Sequence, residues 1–410
     1  MKQIIYYIII RFIFFSGLCT LLLSACAEKQ SEAITRENLF TLQIGRLEDQ
    51  IAFYNQDGDK GIRRNGLCMR DGIFYISDSG GQKVTRFNSY GDILSMIYND
   101  ETNPQPLTLK PKQQGETVIR WAFTYPFQTP GRIAVDTQKH IYVEDSLPDE
   151  RHGVDPESKA LLDGVVLHFD ADGRFLEYFG QEGIGGTPFP RIEGLYTSVN
   201  DDLAIVCRLP TGWNIYWFDT DGVLLYLIKI KNSSIPIPAD RRDAVFASLD
   251  SIIAAPDARK LYIKVDYYRD TFDESTNTRT GSESDSSVIW VMRAEDGIYE
   301  KNIETPLYES VYIENNHKIT VRIPYTLLGI VKNERMFLYF PEETGYALLI
   351  LDTRESNGVQ HQGSIRVDMD ELQFNAFDLS QEGILSAMLV SDWDVKLVWW
   401  RTDKFFEDVM

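Results

Sequence analysis

The stretch GVVLHFDADGRFLEYFG, Gly164–Gly180, decides the fold. Two short runs of alternating apolar residues flank Asp170-Ala171-Asp172-Gly173. Period-two alternation marks a strand, and a tight polar turn between two such runs makes a hairpin. Gly173 supplies the positive-φ position of the turn, and Asp side chains accept hydrogen bonds from turn amides. The pattern returns as IYWFDTDGVLLYLI, Ile215–Ile228. It occurs earlier as VTRFNSYGDILSMI, Val84–Ile97, and in a looser form as VIWVMRAEDGIY, Val288–Tyr299.

Further strand-like runs surround each hairpin, giving a repeat of about 40–50 residues with four strands per unit. Such units stack in a ring, because each sheet is apolar on both faces until its neighbours cover it. The expected fold is an all-β, six-bladed propeller over residues 39–410, with four antiparallel strands per blade. Gly66–Arg70, Gly72–Ser77, Lys83–Asn88 and Asp92–Tyr98 read as the first blade. The second opens at Phe127, the third covers about 191–230 and the fourth about 249–304. The fifth has Thr326–Val331, Arg335–Phe340, Tyr346–Asp352 and Ser364–Asp368. The last has Phe374–Leu379, Gly383–Val390 and Asp394–Trp400, and lacks a fourth strand. Leu39–Ile44 is expected to supply it and so tie the first strand to the last. Residues 99–126 read as an insertion, and the charged loop 146–163 interrupts the second blade. Asp270–Ser287, low in apolar residues, is expected to be a mobile loop. Helical periodicity is confined to Arg241–Leu249.

The first 25 residues stand apart. Lys2 and Arg11 precede an apolar run that ends in Leu23-Ser24-Ala25-Cys26. A short apolar segment closing on small residues is a secretory signal. Leu-Ser-Ala-Cys resembles a bacterial lipoprotein box, and the resemblance implies cleavage before Cys26 and lipidation of its thiol. A plain signal peptide, or a membrane anchor over residues 4–25, are the alternatives. Residues 26–38 then read as a polar tether.

Removing Lys2 and Arg11 from the 41 basic residues leaves 39 against 61 acidic ones, a net charge of −22. That balance disfavours nucleic acid, whose phosphates need a basic surface. It also disfavours broad adhesion to anionic lipid. Cys68 and Cys207 remain after processing. They are expected on non-adjacent blades as buried, unpaired thiols, with a disulfide as the alternative.

The first blade reads Tyr75-x-x-Asp78-x-Gly80-x-x-x-Val84-x-x-Phe87-Asn88-x-x-Gly91-x-Ile93. The second opens Phe127-x-x-Pro130-x-x-Ile133-Ala134-Val135-Asp136. Both resemble NHL repeats, the units of six-bladed propellers, although Arg132 stands where the family usually has Gly. The likeness covers about half of the mature chain. Together with the lipoprotein box it is similar to a group of spirochaete NHL-like envelope lipoproteins of unassigned function.

Candidates for chemistry are sparse. The five His residues, 140, 152, 168, 317 and 361, show neither an HExxH motif nor a paired spacing, and no G-x-S-x-G occurs. Asn55-x-Asp57-x-Asp59-x-Gly61 has the opening of a calcium loop, but the Gly stands one place late and Gly66 occupies the position of the bidentate acid. Some six-bladed propellers are calcium-dependent lactonases or phosphoesterases, and Asp136, Glu193 and Asp257 are the residues here that such a site would draw on. Trp121, Phe123, Tyr125 and Phe127 alternate on one side of a strand. They form either a buried sheet face or a partner-binding stripe.

The leading expectation is therefore a lipid-anchored binding or scaffold module for a protein or other envelope ligand, without a cofactor. A calcium-dependent hydrolase at the channel mouth and a structural component of an envelope complex are the alternatives. Fold alone does not choose among them.

Overall fold

The computed structural model describes residues 32–53, 65–111, 120–241, 245–273, 275–314, 317–332, 334–353 and 359–404. Cys26 and the Asn55–Gly61 motif lie outside them.

The chain folds as an all-β propeller, and no α-helix occurs among the described residues. Each hairpin turn repeats one device. Asp170 Oδ1 accepts the amides of Asp172 and Arg174, both at 2.9 Å, while the Gly173 amide donates to the Asp170 carbonyl. Asp219 and Asn88 do the same for Ile215–Ile228 and Val84–Ile97. Gly173 adopts φ 91°, and a Cβ there would press on Ile97 of the preceding blade, so a side chain at this position is disfavoured twice.

Five sheets are complete blades of four strands in chain order, the second interrupted by the small hairpin Gly153–Val154 with Leu161–Leu162. Their first strands are Gly66–Arg70, Ile133–Val135, Ile192–Thr197, Phe246–Ala254 and Thr326–Val331. The number of self-contained blades is thus five, not the six expected. A sixth large sheet is composite, and Gly153–Val154 with Leu161–Leu162 and Leu307–Glu314 with His317–Pro324 form two separate two-stranded sheets. Phe374–Leu379, Leu385–Val390 and Asp394–Trp400 form an antiparallel meander, and Arg36–Ile44 pairs antiparallel with its last strand. Only the third and fourth blades are plain four-stranded antiparallel sheets. The first gains Trp121–Thr124 parallel to Ile93–Tyr98, and the second gains Gly183–Ile184.

Each sheet shares one apolar core with the sheet before it and another with the sheet after it. Val206, Trp217, Ile263 and Val288 fill the space between the third and fourth blades. Leu42, Phe74, Phe87, Val395 and Leu397 join the composite sheet to the first blade. There Phe40 meets Phe74 edge-on at 5.7 Å.

Three readings need correction. No helix occurs among the described residues of Arg241–Leu249: Phe246–Ala254 is an inner strand, in which Ile252, Ile253 and Ala254 are buried between blades. Residues 270–287 are not a loose loop. Lys260–Phe272 and Arg279–Arg293 stay paired out to Phe272 and Arg279 as a long ribbon, laced by Arg269–Glu283 at 2.7 Å and Arg279–Asp270 at 2.8 Å. Nor is the segment before residue 39 free of strand pairing, since Glu32–Ala33 lies parallel to Gly363–Ser364 of the fifth blade.

Leu42 is buried where the amino-terminal strand meets the first blade. Leu42→Ala is expected to cost about 2–4 kcal/mol, and Leu107→Ala, on an exposed loop, less than about 0.5. Urea unfolding midpoints of the two variants check this.

Candidate functional site

The two faces of the disc differ. Connections from first to second and from third to fourth strand lie on one face, and those whose residues are described are two to five residues long. The longer connections open from strand ends on the other face, after Ile44, Tyr98, Ser146, Gly180, Lys231 and Thr305. We call these the turn face and the loop face.

The innermost strands surround a central cavity of about 510 Å³, lined by residues from the six large sheets. An inner strand has one edge without a neighbouring strand, so its carbonyls need other partners. Side chains from adjacent sheets provide them. Arg70 Nη1 donates to the Val135 carbonyl at 2.8 Å, and Thr197 Oγ1 donates to the same oxygen at 2.8 Å. Arg132 Nη1 donates to Ile192 O at 2.8 Å. Towards the turn face, Gln381 Nε2 reaches across to Thr197 O at 3.4 Å and narrows the opening.

Two carboxylates stand in the wall. Glu193, near the loop face, is held by Arg132 Nη2 at 3.0 Å and Arg191 Nε at 2.7 Å. Asp378 accepts the Met69 amide at 2.8 Å, and burial pushes its carboxyl up to about 7. Cys68 also lines the cavity, and burial, helped by the Asp378 charge, raises its thiol far from the range of a nucleophile. Cys207 is buried in the third blade and raised in the same way; both thiols are free.

The candidate residues do not converge. Asp136 sits in a turn of the second blade, where its Oδ1 accepts the His140 amide at 2.8 Å and its Oδ2 lies 3.3 Å from His140 Nδ1. Asp257 lies exposed in a turn of the fourth blade, and of the three only Glu193 faces the cavity. Among the described residues, no three His, Cys, Asp or Glu side chains are grouped to hold a metal ion. His168, which the spacing left unremarked, stacks on Tyr142 with centroids 4.5 Å apart and pairs with Glu177 at 3.1 Å. Its burial lowers its pKa.

The aromatic stripe is consumed in packing. Phe127 is fully buried, and Tyr125 packs edge-on against Phe169 and tilted against Phe127 and Phe175. The Arg174 guanidinium lies over Phe123, and Trp121 donates to the Asp172 carbonyl in the hairpin turn of the second blade. These four residues brace the first two blades against each other. The signal missed by alternation was their partner, a turn about 50 residues downstream in sequence.

No family model matches the chain, and no curated protein matches it. Among solved structures it is similar to the WD40 domain of Toxoplasma gondii coronin, at 7% identity and a TM-score of 0.41 over 91% of this chain and 87% of that one. It is similar to a gluconolactonase from Xanthomonas campestris at 12% identity and a TM-score of 0.39, over 90% and 95%. The calcium-binding protein regucalcin from Agrobacterium tumefaciens gives 11% and 0.38, over 89% and 94%. These are likenesses to other propellers, and no role is carried over from them.

An acid with a raised folded pKa keeps its proton between about pH 4 and 7, where the unfolded chain has lost it. Its contribution to stability therefore falls as pH rises through that window. Asp378→Asn keeps the acceptor for Met69 and removes the titration. The variant should gain on the wild type in urea midpoint from pH 4 to 8. Two parallel curves would refute the assignment.

Proposed function

We propose that the chain is an exported lipoprotein, held to a bacterial envelope by acyl chains on Cys26, whose loop face binds a protein partner. In this reading the composite sheet acts as the sixth blade of an NHL-like ring, and the ring is a rigid platform. Leu23-Ser24-Ala25-Cys26 supports the anchor, since small residues before a Cys at the end of an apolar run suit lipoprotein processing. More than one acyl chain on that Cys makes a stable attachment.

The observation that carries the binding role is the asymmetry of the two faces. Packing alone asks only for short connections, and the turn face has only those among its described residues. Excursions gathered on one side, over a fixed scaffold, are the form in which binding surfaces are built. The acidic mature chain points to a partner recognised without nucleic acid or anionic lipid.

The calcium-dependent hydrolase reading draws less support. It needs oxygen ligands from several inner strands converging on one point. Asp136 and Glu193 are each committed to partners of their own, and they lie at opposite ends of the second and third inner strands.

Two measurements test the proposal. Cys26→Ala should abolish incorporation of labelled palmitate and release the protein from the membrane fraction. A photo-cross-linking residue at Leu107, Val154 or Phe272 on the loop face should give a discrete adduct in intact cells. The same residue at Val223 or Ile298 on the turn face should not. Equal adducts from both faces would overturn the binding role.

A further inference from the structure

We propose that the central cavity is a binding site for a small monocarboxylate with an apolar body. Arg70 clamps the carboxylate, Asp378 donates a hydrogen bond to it, and the wall of the fourth blade, fifth blade and composite sheet covers the body. This site is separate from the loop-face surface and depends on neither the lipid anchor nor a protein partner.

The charges of the wall single out one place for an anion. At about 510 Å³ the cavity has the size of a small-molecule site. Its charged lining residues are Arg70, Asp71, Arg132, Glu193, Asp378 and Glu382. Four of them are satisfied: Arg132 and Glu193 pair at 3.0 Å, Asp71 binds Lys139, and Glu382 lies 3.2 Å from Lys332. Arg70 and Asp378 remain, and neither has an ion-pair partner among the described residues. Arg70 spends one guanidinium N–H, on the Val135 carbonyl, and keeps four. Asp378 spends one oxygen, on the Met69 amide. The two are neighbours, since Met69 directly precedes Arg70 and the Arg70 charge acts on the Asp378 carboxyl.

A guanidinium presents paired N–H donors in the geometry of a carboxylate. Beside it the Asp378 carboxyl, pushed up to about 7 by burial, holds a proton in mild acid and so has an O–H to donate. One cation and one neutral donor suit a single negative charge, where a phosphate dianion would call for further cations. The rest of the wall sets the body. Leu328, Phe374 and Phe377 line the cavity half-buried, and Ile253 and Ala254 of the fourth blade extend the apolar surface. Arg70 and Asp378 stand near the turn-face ends of their strands, at the end that Gln381 narrows. A ligand entering from the loop face meets them with its carboxylate first and lays its body along the apolar wall.

The Asp378 proton makes binding depend on pH. Cys68 and Arg70 are the titratable groups that face Asp378 from the first blade. Thr326–Val331 and Leu385–Val390, the strands on either side of its own, contain none. With Asp378 neutral, the pair carries one positive charge; with Asp378 ionised, it carries none. Affinity for an anion therefore falls as pH rises through about 7.

The test is isothermal titration calorimetry of the full-length protein with hexanoate, acetate and hexan-1-ol, each against a protein-free blank. At pH 6 hexanoate should bind at least about tenfold tighter than acetate, which lacks the body, or hexan-1-ol, which lacks the charge. Its Kd should rise about tenfold from pH 6 to 8, and in Asp378→Asn, which keeps an N–H donor, it should stay level. Arg70→Met, which keeps a stem of similar length, should weaken hexanoate at least about tenfold. If Arg70→Met fails to fold by circular dichroism, the wild-type comparisons decide. No saturable binding of hexanoate up to about 10 mM would overturn the site. So would hexan-1-ol binding as tightly as hexanoate, a level Kd across pH 6 to 8 in the wild type, or unchanged affinity in folded Arg70→Met. None of these readouts involves the anchor or a partner, so their failure leaves the proposed function standing.

Discussion

Each of the six large sheets in this protein buries apolar side chains on both faces, and that fixes the architecture. A sheet of this kind has no stable exposed side, so it needs a neighbour on each. A row of such sheets leaves two uncovered faces at its ends, and a ring leaves none. The ring is joined through one noncontiguous pairing, Arg36–Ile44 against Asp394–Trp400, across almost the whole length of the chain. Leu42, Phe40 and Trp399 pack at that junction with Phe74 and Phe87 of the first blade. Removing the amino-terminal strand would expose the faces that the other interfaces exist to cover. It would also uncover an edge of hydrogen-bonding groups.

Closure creates a second demand at the centre. Six inner strands present edges to a cavity too narrow for further strands, and their carbonyls require donors. Arg70, Thr197 and Arg132 answer this from neighbouring sheets, and Ser77 donates to the Gly131 carbonyl in the same manner. The polar residues of the channel are therefore first of all structural. Glu193 shows the consequence. It stands on an inner strand and faces the cavity, and two arginines hold it there. Asp378 shows the other side: one amide hydrogen bond does not offset the cost of burying its charge, so its proton stays on to about 7.

What could be read from the chain follows from how local each signal is. The hairpin Gly164–Gly180 is legible because the turn, its capping Asp and its alternation all lie within one short window. The strand Thr326–Val331 is legible for the same reason. Arg241–Leu249 misled because a bulge at Leu249/Ser251 breaks the alternation of the strand that follows. Asp270–Ser287 misled because its support is ion pairing between strands, which leaves no apolar pattern. The site candidates were chosen by residue type at a strand end. That marks what an Asp or Glu can do, but not whether Arg132, Arg191 or His140 has already engaged it. Trp121 and Tyr125 alternate as a surface stripe would, and only the position of the neighbouring blade shows that they face inward.

The same distinction separates the two faces. On the turn face each connection joins adjacent strands of one sheet, and its length is set by the geometry of a tight turn. On the loop face a connection must cross between sheets or leave the disc, and no packing rule bounds it from above. Sequence added there costs little, because loop closure entropy rises only slowly with length. Residues 99–132 and 306–325 use that freedom, and both contain strands of their own. An excursion that folds into paired strands holds a fixed shape above the ring. The ring fixes the short connections, and the variable ones rise from one side of it.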